Sequence, residues 1–224
     1  MSEPFSALRA ALEAAAERRR QAGAALANKH VGGEWEEFRE ASNAELAAQR
    51  ELAAAQGDPH AVPIEFPVLW DVGAPMPHLL QNDDRAFLFF YLRDTSTEWD
   101  GRSTTVVNPA ITEPSSLGIV EFKGVCSTRM GAPNDEGIHG HPLFGKGLRA
   151  YTAMRVENSP WIKELQAINS VHQGYEPDAW RQYNHFILGF HDSMFECVAK
   201  SFAVERRTTT VREALAEICE QLLA

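Results

Sequence analysis

No stretch of about 18 consecutive apolar residues occurs in the 224-residue chain, so no segment has the length and character of a membrane-spanning helix. The opening MSEPFSALRA lacks a basic segment followed by an apolar one, so no secretory leader is expected and the expected location is the cytoplasm. Cysteine is scarce. Cys126, Cys197 and Cys219 are odd in number and include no C-x-x-C pair, which fits reduced thiols rather than a disulfide framework. Basic residues are in the minority, 21 Lys and Arg against 31 Asp and Glu, for a formal charge of −10. Such a chain lacks the basic footprint that displaces counterions from phosphates; Arg18–Arg20 and the Arg206, Arg207 pair are too short to supply one, and no nucleic-acid partner is expected.

What is present is ordinary for a folded domain, with 44% hydrophobic and 23% charged residues. Residues 1–57 are rich in alanine and carry no proline after Pro4. Leu8, Leu12, Ala15 and Ala22, then Trp35, Phe38, Ser42, Leu46 and Gln49, follow helical spacing and predict two helices broken at 28–33, a helical hairpin. Its apolar stripe is thin, because alanine buries little area, so it needs a further surface to cover it. A homodimer is one way to supply that surface.

Residues 58–85 fall in the proline-punctuated stretch QGDPHAVPIEFPVLWDVGAPMP and its sequel, and read as an extended linker. From 86 to 224 the signals alternate between strand and helix. AFLFFYLR (86–93) reads as a buried strand, STTVVN (103–108) and LGIVEFKGV (117–125) as further strands, and AYTAMRVEN (150–158) as another. Asn158, Ser159 and Pro160 open a helix with Trp161, Leu165, Ile168 and His172 on one face. HFILGFHD and MFECVAKSFAVE form a hairpin turning near Asp192 and Ser193, and Thr210 with Glu213 makes a capping box for a terminal helix. This order lacks β-α-β alternation. The expected fold is therefore α+β, a mainly antiparallel sheet with packed helices, preceded by the hairpin.

The densest chemistry lies in PNDEGIHGHPLFGKG (133–147) and in the 185–197 hairpin. His139 and His141, two apart, project to one side of an extended segment, as two ligands of one divalent metal ion must. Strand alternation puts His185, Ile187, Gly189 and His191 on one face, with Glu196 expected across the hairpin from His191. Two site readings follow. In the first, His139, His141 and His191 hold a metal ion; in the second, His191 is an acid/base group with Asp192 or Glu196 as its orienting carboxylate, and Asp135 or Glu136 on the facing loop is an acid. The plainer alternative is that His139 and His141 tie down the loop and that His185 and His191 are satisfied sheet residues. Gly140-His141-Pro142-Leu143-Phe144-Gly145-Lys146-Gly147 only superficially resembles a phosphate loop, since Gly147 replaces the hydroxyl residue.

For function, the sequence supports an enzyme acting on a small polar substrate in a pocket formed by the 133–147 loop and the 185–197 hairpin. The alternative is an acidic immunity or accessory protein that binds a basic protein partner through its negative surface.

Overall fold

The computed structural model describes residues 4–28, 33–93, 110 and 113–223. The strand expected at 103–108 and Trp99 lie outside the described residues. The expected α+β class holds: two N-terminal helices precede a seven-stranded antiparallel sheet with further helices. By internal contact the chain forms two compact units. Met1–Val62, His141–Arg149 and Val156–Pro160 make the first, and Pro63–Gly140, Ala150–Arg155 and Trp161–Ala224 the second.

In the first unit, α1 (Ser6–Asn28) and α2 (Gly33–Gln56) pack as the expected hairpin. Small residues let the helices approach: Ala22, Ala41 and Ala53 are buried, and a Cβ on Gly23 would come within 3.3 Å of the Phe38 ring. Ion pairs of Arg19 with Glu45 and Arg18 with Glu40 bridge the outer surface. Trp35 stacks on Phe38 but stays largely exposed, so the stripe on α2 runs through Phe38 rather than Trp35.

Strand order in the sheet is β1 (His60–Pro63), β5 (Ala153–Glu157), β6 (Asn184–Gly189), β7 (Met194–Thr209), β4 (Ser115–Gly131), β3 (Arg85–Tyr91) and β2 (His78–Gln81). The proline-rich stretch read as a linker thus supplies β1 and β2, the two edge strands. Edge positions tolerate proline because one side of the backbone needs no ladder partner. The long pair β4 and β7 forms the spine, running in register from Ser115 opposite Thr209 to Gly131 opposite Met194, with a bulge between Val125 and Ser127.

Both sheet faces in the second unit are apolar, because strand alternation in AFLFFY offers large side chains to each. One face gathers Ala86, Leu88, Phe90, Val120, Phe122, Phe186, Leu188, Phe195 and Cys197 beneath Trp70, with Ile64, Phe66 and Val68 packed against them. The other carries Phe87, Phe89, Tyr91, Leu117 and Ile119 and is covered by Val211, Ala214 and Ile218 of α4 (Val211–Leu223). The α4 capping box forms as expected: Thr210 Oγ1 accepts from the Glu213 N–H at 3.1 Å, and Glu213 Oε2 accepts from the Thr210 N–H at 3.1 Å. In α3 (Pro160–Asn169) Trp161 is buried and Leu165 half-buried, while Ile168 faces solvent. Trp70 is buried and Trp180 half-buried.

Candidate functional site

The loop after β4, the residues entering β5 and the turn after β6 meet at one end of the second unit. Backbone bonds tie them together: the Tyr151 N–H donates to Gly189 O at 3.0 Å, the Asp135 N–H to His191 O at 3.1 Å, and the Phe190 N–H to Ser193 O at 2.8 Å. The last closes the tight turn expected at Asp192 and Ser193.

These bonds gather three side chains. Tyr151 donates its hydroxyl proton to Asp135 Oδ2, Tyr151 Oη lies 3.0 Å from His191 Nδ1, and Nδ1 lies 3.1 Å from the same carboxylate oxygen. An unprotonated Nδ1 would set its lone pair against an anion. A proton on Nδ1 satisfies the contacts with both oxygens. His191 is about 40% exposed at its side chain, Asp135 about 19%, so the imidazole is reachable while the carboxylate beneath it is covered.

The electrostatics follow from those contacts. The Tyr151 hydroxyl, with a smaller contribution from His191, holds the Asp135 carboxyl below its usual range against the opposing effect of desolvation. Burial, reinforced by the Asp135 carboxylate, pushes the Tyr151 phenol far above its usual value, so it remains a donor. Asp135 Oδ1 is buried and has no hydrogen-bond partner among the described residues. On the far side of the ring, Nε2 lies 4.0 Å from Asp192 Oδ1, and Asp192 is exposed.

The other expected site residues make different contacts. His185, Ile187 and Gly189 do share a sheet face, but β6 ends at Gly189 and His191 lies beyond it, so strand alternation no longer governs its direction. Glu196 stands opposite Ile187, and its Oε2 meets His185 Nε2 at 2.8 Å rather than His191. That pair is buried under the edge of Trp161, over whose ring the Arg129 guanidinium stacks at 3.9 Å. Glu136 is exposed beside Asp135. His139 is exposed in the short 3-10 turn Ile138–Gly140, in the second unit. His141 belongs to the first unit, where its Nδ1 accepts the Leu143 N–H at 3.2 Å. Among the described residues, no group of three or more His, Cys, Asp or Glu side chains is placed to hold a metal ion.

Sequence reasoning missed Tyr151. It falls in the AYTAMRVEN run that reads as a strand, yet it precedes β5 and has a φ of +56°, in the left-handed region that bulky residues rarely adopt. No periodicity marks it. Two cavities of the second unit lie away from the trio: one of about 120 Å³ between α4 and the sheet, bordered by Phe87, Glu121, Arg207 and Ile218, and one of about 330 Å³ beside Gln166, Trp180 and Arg181.

Comparison with family models, curated proteins and solved structures finds no match to this chain. Among the described residues no helix is long and apolar enough to cross a membrane.

Proposed function

We propose that this protein is an enzyme that acts on a small polar molecule by general acid–base chemistry, with His191 as the base. The observation that carries this reading is the Asp135–Tyr151–His191 trio, which holds Nδ1 against a largely covered carboxylate in an imidazole that is about 40% exposed, leaving Nε2 as the nitrogen for a substrate. Nε2 would accept a proton from a substrate hydroxyl, amine or water, and the imidazolium so formed would be stabilised by Asp135 at 3.1 Å. Asp135 stays ionised through that step because the Tyr151 hydrogen bond holds its carboxyl low. The Asp192 carboxylate, 4.0 Å from Nε2, brings negative charge to this nitrogen, which suits a neutral or cationic substrate over an anionic one.

The test is turnover of a panel of small esters, amides and amines by the wild-type chain and His191→Gln. A positioned base contributes about 100- to 10,000-fold, so His191→Gln should lose that much kcat while keeping its fold. Undiminished turnover in His191→Gln would sink the proposal. If instead the wild-type chain is inert across the panel and captures a basic protein, the acidic binding-protein reading takes its place; the net charge of −10 supports that reading.

A further inference from the structure

We infer that Tyr151 is a positioning residue, whose hydroxyl holds the His191 imidazole in the Nδ1–H tautomer with Nε2 outward. This rests on the reading of His191 as the base and adds the device that keeps it in the working form. The three atoms Tyr151 Oη, Asp135 Oδ2 and His191 Nδ1 form a closed triangle, and the hydroxyl proton is spent on the carboxylate. The remaining lone pairs on Oη then face Nδ1 at 3.0 Å, beside the carboxylate oxygen at 3.1 Å. Two acceptors converge on one nitrogen, so only a protonated Nδ1 satisfies both. A flipped or rotated ring would abandon both contacts together.

The backbone supports the assignment independently. Tyr151 adopts a φ of +56°, a conformation in which a bulky side chain persists only when its surroundings over-determine it. Its N–H is pinned to Gly189 O at 3.0 Å, two residues before His191, so hydroxyl and imidazole are fixed to the same strand end. Asp135 is tied to His191 by its own N–H to His191 O at 3.1 Å, so Tyr151 and Asp135 approach Nδ1 from two separately anchored segments.

The experiment is two-bond proton–nitrogen correlation NMR of the histidine rings in the full-length 15N-labelled chain, wild type against Tyr151→Phe. In the wild type, His191 should show a single Nδ1–H pattern; in Tyr151→Phe it should shift toward the averaged pattern of exchanging tautomers, with the backbone amide spectrum otherwise preserved. An unchanged Nδ1–H pattern in folded Tyr151→Phe overturns the inference. Should that variant not fold, the wild type alone decides: an Nε2–H pattern overturns the inference, and an Nδ1–H pattern with a nuclear Overhauser contact from the Tyr151 hydroxyl proton upholds it. The spectrum is read without substrate, so its outcome is separate from that of the turnover assay. A tautomer shift in Tyr151→Phe with undiminished turnover upholds the positioning role and overturns His191 as the base.

Discussion

Replacing Gly147 with alanine should destabilise the first unit far more than the same change two residues earlier. Gly147 has a φ of +86°, and a Cβ there would lie 2.5 Å from Arg50 Cγ and 2.6 Å from Ala61 O. The second contact is with backbone, which cannot swing aside. Around it, the Gly147 N–H donates to Gln49 Oε1 at 3.2 Å, Arg50 Nη2 donates to Gly147 O at 3.0 Å, and Arg50 Nε donates to Ala61 O at 2.9 Å. The left-handed backbone costs alanine about 1–2 kcal/mol and overpacking adds about 1–3 kcal/mol, for a total of about 2–5 kcal/mol. Gly145 is the internal control: its φ is +74°, but nothing lies within 4 Å of a built Cβ, so only the backbone cost of about 1–2 kcal/mol applies. At about 2–4 °C per kcal/mol for a chain of this size, Gly147→Ala should melt about 2–12 °C below Gly145→Ala. Thermal denaturation followed by circular dichroism measures the difference. Equal melting temperatures for the two variants would show that the close approach of Arg50 and Ala61 to Gly147 is not a constraint of the folded state.

Three further outcomes are expected. Thr210→Ala removes the hydroxyl that caps α4 and should cost about 0.5–2 kcal/mol in chemical denaturation. Phe122→Ala empties a fully buried ring position in the core beneath Trp70 and should cost about 3–5 kcal/mol, measured the same way. The Asp135 carboxyl is depressed in the folded state, so its contribution to stability is present above its ordinary value of 3.8 and is lost as pH falls through the lower folded value. Tyr151 is raised, so its contribution is present below its ordinary value of 10.0 and is lost as pH climbs beyond it. Melting temperature against pH should therefore fall less steeply at the acid end in Asp135→Asn and less steeply at the alkaline end in Tyr151→Phe.

Much of the fold is legible in short-range pattern. The AFLFFYLR run, the alternation of His185 to Phe190, the Asp192–Ser193 turn and the Thr210–Glu213 box each carry their structure within a few residues, where propensity and hydrogen-bond geometry act directly. The edge strands β1 and β2 were hidden because prolines mask a strand that pairs on one side only. The site was half legible. His191 and Asp135 stand out as ionisable groups in glycine-rich or turning segments, yet strand alternation points Glu196 toward His191 only if the strand continues past Gly189, and it stops there. Tyr151 reaches the trio through an irregular backbone and pairings with residues 16 and 40 positions away, and nothing local encodes such contacts.

The central claim is that Asp135 and His191 act as one unit in catalysis, and a double-mutant cycle on turnover tests it most directly. With the best substrate of the panel, kcat/KM is measured for the wild type, Asp135→Asn, His191→Gln and the double variant. If Asp135 works only through His191, the double variant should be no slower than His191→Gln alone. Losses that multiply, with Asp135→Asn slowing a chain that already lacks His191, would contradict the account.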